Sequence, residues 1–236
     1  MFKPRGVALS ECTAYLGAMT QRRCSMLLGC ALLALGVGGA RAATQAILGV
    51  RFDVRTKRPG DPTSTTVALF AQEEPTSPNT LVGDPSVGGA TLRLVTRGTS
   101  TYDQTFSLPA RGWKVYFTRH DWPVWKVLAY SNATIGGPVR SLVIRRGGYA
   151  SVEGTPPPDD PRPEEFRIKL RMTGRDGAID VVPPNPGTES GILIAIGGGD
   201  TYCVAFGGVA GGTITSNVER RFTVGRPVAE GCPVEP

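Results

Sequence analysis

Histidine is almost missing from this chain: His120 is alone in 236 residues, and charged and aromatic residues make up only 19% and 7%. Acid–base and nucleophilic enzymes lean on a histidine, a supported carboxylate pair or an activated Ser or Cys in fixed geometry. The His120-Asp121 step has no metal-ligand spacing, and the G-x-S-x-G elbow of a serine triad is absent. Asp159-Asp160 and Glu164-Glu165 lie in a Pro-rich stretch that gives carboxylates no rigid support, so they read as solubilising. Gly197-Gly198-Gly199 lacks the G-K-[ST] ending of a phosphate loop. Asp84, Asp176, Asp180 and Asp200 sit in Gly-rich turns without calcium-loop spacing, and they read as turn-closing residues. No catalytic residue, cofactor site or metal site is expected.

Long apolar runs are equally scarce. The one that stands out, residues 26–37 (MLLGCALLALGV), is shorter than the roughly 20 residues that span a bilayer. Arg22 and Arg23 precede it and Ala40-Arg41-Ala42 follows, which is the order of a secretory signal peptide. Residues 1–42 are therefore expected to leave after Ala42, with Met19 a better start than Met1 because it shortens the leader from 42 to 24 residues. Leu27-Leu28-Gly29-Cys30 as a lipobox and Arg22-Arg23 as a twin-arginine signal fit their surroundings less well. The expected location is secreted or periplasmic, without a membrane span after cleavage. The +6 charge of the whole chain falls to +2 without the leader, which keeps 21 basic against 19 acidic residues. Arg140, Arg145 and Arg146 are the densest basic group left, and Arg145 and Arg146 would point to opposite faces of a strand. No nucleic-acid partner is expected.

Cysteine follows the same division. Cys12, Cys24 and Cys30 belong to the leader, leaving Cys203 and Cys232, an even pair that reads as a disulfide in an exported protein. It would tie the C-terminal tail to an interior strand, and a loop of about 30 residues is worth about 3 kcal/mol in the chain-entropy model.

What the chain has in abundance is glycine and proline, 31 and 20 residues, which punctuate segments of period-2 alternation. Val50, Phe52 and Val54 alternate with Arg51, Asp53 and Arg55, and Phe166, Ile168, Leu170 and Met172 with Arg167, Lys169 and Arg171. Residues 178–182 and 191–196 are further strand candidates, the second apolar enough to be covered on both faces. With no amphipathic stretch of helical length, the fold is expected to be all-β, an antiparallel β-sandwich. The composition shift at 154–165 (GTPPPDDPRPEE) divides it into a lobe over 43–153 and a smaller lobe over 166–236, with the disulfide in the second. The alternative is a long loop within one sandwich.

All three tryptophans fall within residues 113–130. Alternation puts Trp113 in the core with Val115 and Phe117. Tyr116, Trp122 and Trp125 are the candidate ligand-stacking residues, since exposed rings on a sandwich can stack on sugars.

Residues 84–94 (DPSVGGATLRL), 104–113, 137–144, 181–187 (VVPPNPG), 197–206 (GGGDTYCVAF) and 221–232 together resemble secreted β-rich proteins of unassigned function from deltaproteobacteria and related soil bacteria. The resemblance implies an exported β-sandwich and supplies no activity. The expected function is a non-catalytic structural or interaction module facing an unidentified protein or glycan at the cell surface. The alternatives are a carbohydrate-binding module using the aromatic loop and, third, a secreted hydrolase.

Overall fold

Turn residues cut the alternating segments into strands of three to eleven residues. The computed structural model describes residues 43–73, 79–98, 101–118, 124–149, 165–184, 187–227 and 229–233. Thirteen strands run through them: β1 (Thr44–Ala46), β2 (Gly49–Thr56), β3 (Thr65–Gln72), β4 (Ala90–Gly98), β5 (Tyr102–Leu108), β6 (Trp113–Phe117), β7 (Val124–Ser131), β8 (Val139–Tyr149), β9 (Phe166–Thr173), β10 (Gly187–Ile196), β11 (Thr201–Gly207), β12 (Thr213–Val218) and β13 (Arg221–Gly225). One α-helical turn, α1 (Pro85–Gly88), is capped by Asp84, whose carboxylate accepts from Ser86 N at 2.8 Å. No helix among the described residues is long and apolar enough to cross a membrane.

The strands form an all-β sandwich. A five-stranded sheet has the order β1-β11-β10-β4-β5 and an eight-stranded sheet the order β12-β13-β2-β3-β9-β8-β7-β6. Every pairing is antiparallel except β1 with β11. The inward members of each alternation fill the space between the sheets: Phe52 and Val54, Ile168 and Leu170, Leu92 and Leu94, Ile192 and Ile194 are all buried. Rings close the gaps, with Phe52 5.7 Å from Phe206 and Phe166 5.2 Å from Tyr202 between centroids.

The division into two lobes at 154–165 does not match this topology. β9, which follows that stretch, lies between β3 and β8 of the supposed first lobe, and β13 pairs with β2, Phe222 opposite Val54. The described residues share one core and one compact unit. Because β8 and β9 are antiparallel neighbours, the Pro-rich stretch connects adjacent strands of one sheet, as in the single-sandwich reading. Residues 154–164 themselves lie outside the described residues.

Two strand expectations need correction. Residues 178–182 form no strand, although Ile179 and Val181 are buried. The Gln104 side chain takes the place of a backbone ladder there, donating from Nε2 to Ala178 O at 3.0 Å and accepting from Asp180 N at 3.1 Å. The segment 191–196 is central in its sheet, but Ile192, Ile194 and Ile196 are buried while Leu193 and Ala195 are half-buried, so one face of β10 carries the core.

Cys203 and Cys232 sit at disulfide distance, their Cα atoms 4.9 Å apart. β11 is interior to its sheet, so the pair fastens the tail across the outer face of the smaller sheet. Gly191 shows how close that layer lies: a Cβ there would come within 2.6 Å of Pro233 Cγ.

Candidate functional site

The tail covers part of one outer face of the sandwich. On the other, the outward members of the alternation are strongly basic. Arg51 and Arg55 on β2, Arg221 on β13, Arg167, Lys169 and Arg171 on β9, Arg145 on β8 and Lys114 on β6 share the outer face of the eight-stranded sheet, as register and burial require. Between them lie small or flat residues: Ala68, Ser141, Val143 and Ala129. Alternate residues of a strand are about 6.7 Å apart, so β9 alone presents three cations in a straight file.

Asp53 and Glu165 are the carboxylates set among these cations. Asp53 is buried; its Oδ2 accepts from Arg55 Nε at 2.8 Å and Arg51 at 3.2 Å, and its Oδ1 from Thr223 Oγ1 at 2.6 Å and Arg221 Nε at 3.2 Å. Burial pushes the Asp53 carboxyl up, but the hydrogen bonds from Thr223, Arg55 and Arg221 outweigh it and hold it below the usual carboxylate range. One carboxylate thus fans three guanidinium groups and neutralises only one charge. Glu165 accepts from Arg167 at 2.6 Å and from Gln72 Nε2 at 2.8 Å. Lys114, Arg145, Lys169 and Arg171 make no ion pair among the described residues. Lys169 lies over the Phe70 ring, 5.4 Å from its centroid, which holds the ammonium without cancelling it.

At the β12 edge the face deepens into a hollow of about 540 Å³ lined by Arg51, Arg221, Arg226, Thr213, Thr215 and Thr223, with Val50 and Gly225. Three arginines line it, a chemistry suited to carboxylate, sulfate or phosphate oxygens. No group of three or more His, Cys, Asp or Glu among the described residues could hold a metal ion.

The aromatic candidates fall at the opposite edge of this face. Tyr116 is 44% exposed, paired with Val127 and on the same side as Lys114. Trp125 is half-buried against Gly147, and the Arg167 guanidinium lies 5.6 Å from its ring centroid. Trp122 and His120 lie outside the described residues. Trp113 is in the core, donating from Nε1 to Leu108 O at 3.2 Å with Tyr130 beside it. Phe117, placed with the core side by alternation, is half exposed at the end of β6.

No protein-family model, curated protein or solved structure matches the chain. The site therefore has to be read from its own chemistry. A search for basic clusters along the sequence passes over this face, because its cations come from five strands that lie far apart in the chain. The available signal was the repeated choice of Arg or Lys at outward positions, read as a wet face without adding the strands together.

Proposed function

We propose that the chain is an exported, non-catalytic β-sandwich binding module that holds an anionic polysaccharide on the outer face of its eight-stranded sheet. The observation that carries the reading is the eight cations on that face against two carboxylates. Two like-charged pairs stand directly across neighbouring strands, Arg145 with Arg167 and Arg55 with Arg221. Opposed like charges cost stability, and an anionic polymer lying over them removes the cost. The leader expected over residues 1–42 favours a glycan over a nucleic acid, since a secretory leader would direct the chain out of the cell. Tyr116 beside Lys114 offers a ring for the C–H face of a sugar next to a cation for its acid group.

Binding of the purified protein to polygalacturonate, to uncharged dextran, to single-stranded DNA and to anionic vesicles tests this. Polygalacturonate should bind at least tenfold more tightly than dextran, lose affinity as salt rises, and weaken at least tenfold with Lys169→Glu combined with Arg171→Glu. Equal affinity for dextran, or indifference to the charge reversals, rejects the reading. Tightest binding to DNA or to vesicles replaces the glycan with that partner.

The exposure of Tyr116 supports a second reading, a module for neutral sugars through Tyr116, Trp122 and Trp125. A glycan array distinguishes it: neutral-glycan signal lost in Trp122→Ala and Trp125→Ala supports it, and signal unaffected by either substitution removes it.

A further inference from the structure

Asp200 is fully buried in the turn between β10 and β11, and the four hydrogen-bond donors around it are neutral. Its Oδ2 accepts from Thr80 Oγ1 at 2.8 Å, Val82 N at 2.9 Å and Tyr202 OH at 3.3 Å. Its Oδ1 accepts from the backbone N–H of Ala43 at 3.1 Å. Asp200 makes no ion pair among the described residues. Lys126 acts on it only from a distance, its Nζ donating to Leu81 O at 2.8 Å. A carboxylate held out of water is costly unless a charge of opposite sign meets it.

The nitrogen at Oδ1 belongs to the residue that follows Ala40-Arg41-Ala42. We infer that cleavage between Ala42 and Ala43 turns this nitrogen into an α-ammonium that pairs with Asp200, so that processing completes the fold by bringing a counter-charge to the buried carboxylate. The step is a hydrolysis by a peptidase of the export machinery. Water adds its hydroxyl to the Ala42 carbonyl carbon and gives its other proton to the Ala43 nitrogen as the C–N bond breaks; the resulting acid then gives its proton to the amine, leaving Ala42 carboxylate and Ala43 ammonium.

Geometry favours the exchange. The Ala43 nitrogen already stands at hydrogen-bond distance, and its position is fixed by Thr201 N donating to Ala43 O at 2.8 Å and by the parallel register of Thr44 with Thr201. Ala43 is exposed, so the ammonium keeps part of its hydration while the Asp200 carboxylate gains a partner of opposite charge. The new N-terminus would thereby pin β1 to β11. The inference rests on the leader and is independent of what the basic face binds.

The full chain, expressed in an exporting host, gives the test. Intact mass of the processed protein should place its first residue at Ala43. Reductive methylation with ¹³C-formaldehyde keeps the charge of the α-amine and labels it for NMR, and its pKa should lie at least one unit above the ordinary value of about 7.7–8.0. Asp200→Asn should return it to that ordinary value. A first residue other than Ala43, or an unshifted α-amine in the unsubstituted protein, overturns the inference. The unsubstituted arm decides the matter even if Asp200→Asn fails to fold.

Discussion

Arg145 on β8 and Arg167 on β9 face one another across a single step of the eight-stranded sheet, both on its outer surface. Such a pair works against the fold that holds it. Glu165 relieves Arg167 alone, and Arg145 has no carboxylate partner among the described residues.

Arg145→Ser should therefore stabilise the protein, by about 0.5 kcal/mol at low salt with the gain fading at high salt. Urea unfolding at two ionic strengths measures it. The same substitution should weaken binding to polygalacturonate, so stability and affinity move in opposite directions. A loss of stability would show that Arg145 has a structural role.

Asp53 sets a pH limit. Its carboxyl is lowered in the folded state, so the stability it provides is present above its unfolded pKa near 3.8 and is lost as pH falls through the lower folded value. Asp53→Asn should lower stability by about 2 kcal/mol at neutral pH. It should also flatten the acid limb of the stability curve below about pH 4, which acid titration followed by circular dichroism would show.

For the Cys203–Cys232 pair, intact mass with and without reductant should differ by the hydrogens added to the two sulfurs. Reduction should cost about 3 kcal/mol in urea unfolding, given a sequence separation of 29. No mass change would mean that the thiols are free in the isolated protein.

The two aromatic assignments separate by stability. Trp113→Ala removes a buried ring and leaves Leu108 O without its donor, and should cost about 3–5 kcal/mol. Tyr116→Ala should change stability by less than about 0.5 kcal/mol, because the ring is exposed. Thermal unfolding of both variants tests the contrast.

The strands with one wet and one dry face were legible from alternation, β2 and β9 most clearly. β12 was not, because its residues are exposed or half-exposed throughout and its Thr-rich sequence carries no apolar period. β1 has three residues, too few for any period, and is held by its parallel pairing with β11. The two-lobe division failed because a Pro-rich stretch marks a connection without saying whether the strands it joins are neighbours. Of the site, Tyr116 and Trp125 could be named from sequence. The cationic face could not, since Arg51, Arg145 and Arg171 come to share one face only through strand order. Asp200 looked like a turn residue because its burial depends on residues 80, 82 and 202 closing around it.

The interleaving of strands also orders events in time. Thr223 on the last strand bonds to Asp53 across 170 residues of sequence, and β2 has one flank open until β13 arrives. Synthesis delivers β2 long before β13, so this flank of the larger sheet stays unpaired in the interval. Non-local pairing of this kind folds slowly. Closure of that flank is therefore a late step, and until it occurs Asp53 meets Arg51 and Arg55 without Arg221 or Thr223.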